Sequence, residues 1–300
     1  MSRRKAMLIY NGHAGQKSID KTLGITVPIL SEETDELIVK GTKQQHDALH
    51  FCQNIDNEIK ELFILGGDGT VHECINGVSQ LQSPPTIGIL PGGTCNDFSR
   101  SLHIPQDITK ATKALVNGDS IPVDILKTDE HYCLNFWGVG FITEASNHIN
   151  PTEKAFLGRL SYFTSALRMM TNLKPFPVKL TIDGKTLTDH VVLVLVLNGQ
   201  YIGTNRLPLS NLSISDGKAD VLVCRNPNLA ALKELLTLEE PEWEAFKGEL
   251  SYYRGTTMTI ETAEKMDVDT DGEIYTQSPT SIEVLNRHLN MLVPSHSENS

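Results

Sequence analysis

Three glycines surround an acid at Gly66-Gly67-Asp68-Gly69-Thr70, directly behind the apolar run 62–65. Glycines remove side chains where backbone N–H groups can reach phosphate oxygens. An acid in such a loop repels phosphate unless a cation bridges the two, so the segment points to metal-assisted binding of a polyphosphate. A second loop, Pro91-Gly92-Gly93-Thr94-Cys95-Asn96-Asp97, follows another apolar run at 86–90. Asn96 and Asp97 also suit the start of a short helix ending near Leu102. A third turn-rich stretch, 11–16, has Gly12 and Gly15 flanking His13-Ala14, and reads equally as a surface turn or a phosphate contact. Two acidic segments lie further on. Asp216-Gly217 carries the strongest short hairpin signal as well as an acid. In Asp269-Thr270-Asp271-Gly272-Glu273, a period of two would place Asp269, Asp271 and Glu273 on one side of an extended strand. Three like charges on one face are costly unless a cation or a reaction needs them; a solvated acidic turn is the alternative.

These residues need elements to position them. Residues 6–10 and 86–90 read as buried strands, and 36–39 and 61–65 as two further strands. The segments 43–55 and 71–81 read as helices, the first with Ala48, Leu49, Cys52 and Ile55 on one face. No element is assigned between 17 and 35. Strand, loop, helix, repeated with unbroken apolar strands, predicts a parallel α/β sheet, whose ligands sit beyond the carboxyl ends of the strands. After about residue 120 strand-like runs cluster at 121–127, 131–137, 178–183, 190–197, 219–224, 256–261 and 280–285. This predicts an α/β nucleotide-binding domain over 1–122 and an antiparallel β domain over 123–286, with a helical insertion at 152–170. The segment 287–300 would return to the first domain through the apolar residues 290–293, leaving a polar tail.

The formal net charge is −11, which argues against bulk nucleic-acid binding. No apolar run reaches the roughly 18 residues a membrane helix needs. The amino-terminal Arg3-Arg4-Lys5 is followed by too short an apolar stretch for a signal peptide. Cys52, Cys74, Cys95, Cys133 and Cys224 are odd in number and lack C-x-x-C spacing, which fits reduced thiols in the cytoplasm. The ten histidines show no metal-ligand spacing, and no Walker A or G-x-S-x-G sequence is present.

The motif Gly66-Gly67-Asp68-Gly69-Thr70-Val71-His72-Glu73 with Asn76-Gly77, and Pro91-Gly92-Gly93-Thr94-Cys95-Asn96-Asp97-Phe98 with Arg100, resembles the diacylglycerol kinase/sphingosine kinase catalytic family. Asp216-Gly217 and Asp271-Gly272-Glu273 match it too, and across 5–293 the spacing is most similar to the soluble bacterial diacylglycerol kinases and related lipid kinases. The resemblance implies a phosphofructokinase/NAD kinase-like α/β nucleotide domain followed by an antiparallel β-sandwich, with ATP in a cleft between them. By matching position, Gly66, Gly67, Gly69 and Thr70 would line the triphosphate, and Asn11, Thr42, Thr94 and Asn96 would help hold the nucleotide. Asp68, Asp97 and Asp216 would belong to an acidic and water network around Mg²⁺. Glu273 would be the general base for the lipid hydroxyl, with Asp271 beside it and Asp68 also serving catalysis. Phosphoryl transfer needs positioning, charge neutralisation and an oriented nucleophile, which this residue set offers.

The sequence departs from the family pattern. Gly12 replaces a proline, Gln16 a basic residue (Lys17 follows one step later), His72 a common asparagine, and Ser165 a lysine frequent in the soluble bacterial enzymes. The expected activity is ATP-dependent phosphorylation of a membrane-lipid hydroxyl, with diacylglycerol as the default acceptor. An NAD kinase or sugar-phosphate kinase shares the first glycine loop, though not the second. A lipid or nucleotide sensor without catalysis is the reading from another class. Residues 152–179 hold Lys154, Arg159, Arg168, Lys174 and Lys179 against Glu153 alone, interleaved with apolar residues. This segment is expected either to touch anionic membrane transiently, at the inner face, or to pack on the sandwich. A homodimer remains open.

Overall fold

The computed structural model describes residues 4–12, 16–129, 131–140, 143, 174–207, 209, 212–225 and 250–295. The helical insertion at 152–170, and most of the basic segment at 152–179, lie outside the described residues. The chain divides into two compact units, Met1–Val123 with Arg287–Ser300, and Asp124–Asn286.

The first unit is built on parallel strands β1 (Lys5–Asn11), β2 (Glu36–Thr42), β3 (Glu61–Gly66) and β4 (Thr86–Pro91). Their order is β2-β1-β3-β4, continued by the last strand, whose Met291 pairs in parallel with Ile87. The chain steps from β1 outward to β2, then back across β1 to β3, so the topological switch point lies between β1 and β3. Helices α1 (Gln16–Glu33), α2 (Asp47–Gln53), α3 (Asp68–Val78), α4 (Asp97–Ser101) and α5 (Ile108–Val116) connect these strands, with α1 packed on α5 and α2 on α3. Leu8, Ile9, Leu62–Leu65, Ile87 and Leu90 are fully buried between the helix layers, as continuous apolar strands require.

Helix α1 has weak sequence signals because Gly24 and Pro28 fall inside it, both on the exposed side, while Thr26 and Leu30 face inward one turn apart. Helix α2 is shorter than the apolar periodicity predicts. His46 caps it in a left-handed conformation, and the Asp47 carboxylate accepts the Lys43 and Gln44 N–H groups, which fixes residues 43–46 as a loop.

The second unit is antiparallel. One sheet has the order β14-β13-β10-β7-β16-β17, where β7 is Phe136–Gly140, β10 Leu193–Leu197, β13 Ala219–Cys224, β14 Leu250–Gly255, β16 Asp267–Thr270 and β17 Glu273–Gln277. The other joins β18 (Thr280–Val293), β15 (Thr257–Thr262), β8 (Phe176–Ile182) and β9 (Lys185–Val191), together with β5 (Asp119–Thr128) and β6 (Tyr132–Cys133). Val194, Val196, Val221 and Val223 of the first sheet share a core with Val178, Leu180, Met258, Ile260 and Ile282 of the second. Leu193, Leu195 and Leu197 point the other way, into a cluster with Leu207, Leu209, Leu212 and Ile202, the last from the short ribbon of β11 (Tyr201–Ile202) and β12 (Asn205–Arg206). Strand β10 is therefore buried on both faces, each side chain contributing up to about 1.5–3 kcal/mol.

The run 190–197 is not one strand. It breaks at Val192, where β9 leaves one sheet and β10 enters the other, and the Val192 N–H bonds the Cys224 carbonyl. Conversely, 280–285 and 290–293 belong to one fourteen-residue strand. It alternates buried and exposed over its antiparallel part and is buried throughout at 291–293, where it runs parallel. Lys174 and Lys179 do not continue a basic helix. Lys179 lies on β8, and its ammonium pairs with Glu261 at 2.8 Å.

Candidate active site

Parallel pairing sets the first group of candidate residues. Asn11 is in register with Thr42, and Gly66 with Pro91, so all four lie at the carboxyl ends of adjacent strands. The Gly12 N–H donates to Thr42 Oγ1 at 3.3 Å, joining the first two loops. Residues 13–15 lie outside the described chain. Gly67 caps α3, whose first internal bond runs from the Val71 N–H to the Gly67 carbonyl. The N–H groups of Asp68, Gly69 and Thr70 thus begin the helix with no carbonyl one turn behind them, at the positive end of its dipole. This is the physical basis of an anion site.

The two glycine loops are zipped together. Gly92 N–H donates to the Gly66 carbonyl at 2.9 Å. A Cβ added to Gly93 would lie 2.4 Å from the Gly67 Cα, so only glycine permits this approach. The Asp68 carboxylate accepts the Asn96 N–H at 2.9 Å with one oxygen and the Asp97 N–H at 2.8 Å with the other. Asn96 sits at a φ of 53°; its Oδ1 accepts the Gly93 N–H at 2.8 Å, and its amide donates to the Gly93 carbonyl and to Gln106. Arg100 Nε closes the loop onto the Cys95 carbonyl at 2.9 Å. Gly92, Gly93 and Thr94 are exposed, while Asn96 and Asp97 are buried. Burial, and then the neighbouring Asp97 charge, push the Asp68 carboxyl up to about 6 against the pull of its N–H donors.

In the second unit the acids are held by distant backbone. Asp269, Asp271 and Glu273 do not share one side of an extended strand. Strand β16 ends at Thr270, and Asp271 (φ 56°) and Gly272 (φ 93°) form the two-residue turn of a hairpin in which Thr270 pairs with Glu273. Buried Asp271 accepts the Leu134, Asn135 and Phe136 N–H groups at 2.8, 2.8 and 2.9 Å. Asp269 accepts the Gly272 N–H at 2.8 Å, inside the hairpin. Glu273 opens β17, half-buried.

Asp216-Gly217 is not a two-residue hairpin either, since β13, which follows it, pairs with β10 and β14. The Gly217 N–H donates to Asp124 Oδ2 at 2.6 Å, and the Asp216 carboxylate pairs with Arg254. Arg254 also lies 3.3 Å from Asp220, directly across the β13–β14 ladder, and Tyr252 donates to the same acid. Asp220 is fully buried, which raises its carboxyl against the lowering effects of Tyr252 and Arg254. Asn198 bridges the carbonyls of Asp124 and Leu134 at 2.9 and 2.7 Å, so the Asp124–Gly217 and Asp271 clusters share one buried polar network. Asp124, Asn135, Asn198, Asp220, Tyr252 and Arg254 were not singled out in the sequence. One signal was available: Asp124 is an acid inside the apolar run of β5.

Among the described residues, no group of three or more His, Cys, Asp or Glu side chains is arranged to hold a metal ion. A cation at the glycine loops would then be held chiefly by phosphate oxygens and water, the usual condition of Mg²⁺ in phosphoryl-transfer sites. The glycine cradle and the open helix start fit a polyphosphate of that kind. No described helix is long and apolar enough to cross a membrane.

The diacylglycerol kinase catalytic domain model matches residues 5–128, and the YegS C-terminal NAD kinase beta sandwich-like domain model matches residues 138–293. A protein of Staphylococcus epidermidis named "Putative lipid kinase" is 32% identical over 299 residues, covering 98% of this chain and 97% of its own. The solved structure of a diacylglycerol kinase from Bacillus anthracis aligns with a TM-score of 0.82 at 33% identity, over 99% of each chain. Another structure from that organism, named a "putative diacylglycerol kinase", gives a TM-score of 0.88 at 38% identity, over 99% of this chain and 97% of that one. With α/β loops of this construction followed by an NAD kinase-like sandwich, the chain belongs to the diacylglycerol kinase catalytic family and is a phosphotransferase.

Proposed function

We propose that the protein transfers the γ-phosphoryl group of ATP to a hydroxyl of a membrane lipid, with diacylglycerol as the default acceptor. The observation that carries this reading is the pair of glycine loops joined at the carboxyl ends of β3 and β4, at the start of α3. The backbone of Gly66, Gly67, Gly69 and Thr70 would bind the phosphates, with Asn11, Thr42, Thr94 and Asn96 holding the rest of the nucleotide. Asp97 and Asp216 would orient water around Mg²⁺, and Asp68 would hold the loop that carries Asp97. When bound, Mg²⁺ supplies neutralisation of the charge on the transferring phosphate. Glu273 would accept the proton of the lipid hydroxyl, a task that requires only a correctly placed carboxylate. Asp271 would hold the hairpin that presents Glu273, through its three N–H bonds to 134–136.

The reading carries peripheral contact with the inner membrane face, which co-sedimentation with anionic liposomes tests. The central experiment is transfer from labelled ATP to detergent-dispersed diacylglycerol, sphingoid base, ceramide, phosphatidylglycerol and NAD. Phosphorylated diacylglycerol is the expected product. Labelling of NAD alone would replace the lipid-kinase reading, and labelling of none would favour a sensor.

A further inference from the structure

The acid inside the first glycine loop has a bonding pattern that a metal ligand does not need. Each Asp68 oxygen accepts a different backbone N–H of the second loop, at 2.9 and 2.8 Å, and both donors stand where α4 begins. Two N–H groups converging on one side chain require an acceptor at both ends. Aspartate supplies that; asparagine, of nearly the same shape, would turn an NH₂ group against one of the donors. The contact also extends a series. Gly66 is bonded to Gly92, Gly67 touches Gly93, and Asp68 takes Asn96 and Asp97, so the two loops are joined residue after residue. Beyond Gly93 the second loop is exposed at Thr94 and turns through a left-handed Asn96, which leaves it dependent on such ties. Among the described residues Asp68 belongs to no group of three or more His, Cys, Asp or Glu side chains that could hold a metal ion.

The geometry points to Asp68 as a positioning residue: its two-oxygen clamp on Asn96 and Asp97 holds the second glycine loop in its nucleotide-binding shape, independently of any metal. The clamp stands on the hydrogen bonds alone; its consequence for nucleotide rests on the kinase reading above.

The test compares the wild type with Asp68→Asn, reading amide exchange and ADP binding in chelator without Mg²⁺. The clamp predicts exchange at Asn96 and Asp97 faster by about tenfold or more, with residues 62–65 and 87–90 still protected. It predicts Mg²⁺-free ADP affinity weakened by about tenfold. Unchanged exchange at 96–97 would overturn the clamp. So would Mg²⁺-free affinity within twofold of wild type alongside a large loss for Mg²⁺-ADP, which would return Asp68 to the metal. Should Asp68→Asn lose protection across the whole sheet, Asn96→Ala loosens the same loop from its other side and must also weaken Mg²⁺-free ADP binding. In a double variant that folds, the losses must fall short of the sum of the two singles, and strict additivity counts against a shared loop. A wild type that binds no ADP under either condition sinks the nucleotide reading, while exchange still decides the clamp.

Discussion

Two hairpins of the second unit turn on the same dipeptide. Asp183-Gly184 joins β8 to β9, and Asp271-Gly272 joins β16 to β17; both aspartates and both glycines have positive φ. Local chemistry is the same in each: Asp-Gly adopts the left-handed pair that matches strand twist. The aspartates nevertheless meet different surroundings. Asp183 is exposed and accepts from the backbone and hydroxyls of Thr256 and Thr257, at the start of the neighbouring strand β15. Asp271 is buried and gathers three consecutive N–H groups from residues 134–136. The first acid finishes a turn. The second fixes a remote stretch of chain and presents Glu273 on the next residue but one. A turn motif therefore specifies backbone shape, and the neighbours decide whether its acid stays in water or gathers distant backbone.

The largest effect that would break this contrast is on turnover. Glu273→Gln should lower phosphate transfer by about 10²–10⁴-fold while ATP affinity stays within about twofold, as expected for loss of a base. The same change at Lys185, the first residue of β9 and the counterpart of Glu273, should leave transfer intact. Steady-state kinetics with an equilibrium binding assay reads both, and near-normal turnover in Glu273→Gln would remove the base assignment.

Next in size is stability. Asp271→Ala strands three buried N–H donors and should cost roughly 3–5 kcal/mol in denaturant unfolding. Asp183→Ala, open to water, should cost below about 1 kcal/mol. Equal costs would mean that burial does not separate the two turns.

A third acid beside glycines, Asp68, sharpens the comparison through pH. Its folded value of about 6 lies above the ordinary 3.8. The folded chain therefore binds more protons than the unfolded chain between those values, and this group's contribution to stability declines as pH rises through that window. Asp68→Asn removes this titration, so its stability should fall less than wild type's between pH 4 and 7.5, by something on the order of 1–2 kcal/mol, on top of a pH-independent loss from the broken clamp. Thermal melts across that range check the sign. A buried acid held at such a cost differs from Asp183, whose N–H and hydroxyl donors, the Thr257 N–H foremost, lower its carboxyl.

The smallest effect concerns the shared backbone. Gly184→Ala and Gly272→Ala meet no heavy atom within 4 Å, so each should cost only the left-handed strain, about 1 kcal/mol. A difference between them beyond about 0.5 kcal/mol would show that their surroundings act on the turn itself.

Legibility differed between the units for a reason visible in these residues. The glycine loops, their acid and the strands before them are contiguous, so composition and order announce a parallel α/β sheet with phosphate loops at its carboxyl edge. The partners of Asp271 are 135–137 residues away, and that of Gly217 is 93 residues away. No local pattern records such pairings, and the period-two reading of 269–273 failed because Asp271 and Gly272 prefer a turn to a strand. Helix α1 is not legible in the sequence because its Gly24 and Pro28 weaken propensity, while packing of Thr26 and Leu30 outweighs it.

By itself the sequence determined the fold class, the turn types and the chemical character of the loops, since each depends on residues within a few positions of one another. Only the tertiary structure decided that Asp68 faces the Asn96 and Asp97 N–H groups, that Asp124 and Arg254 hold the Asp216-Gly217 turn, and that one Asp-Gly hairpin is buried and the other is not. Those outcomes come from burying apolar strands in one particular register, which brings distant polar groups together and obliges each to find a partner.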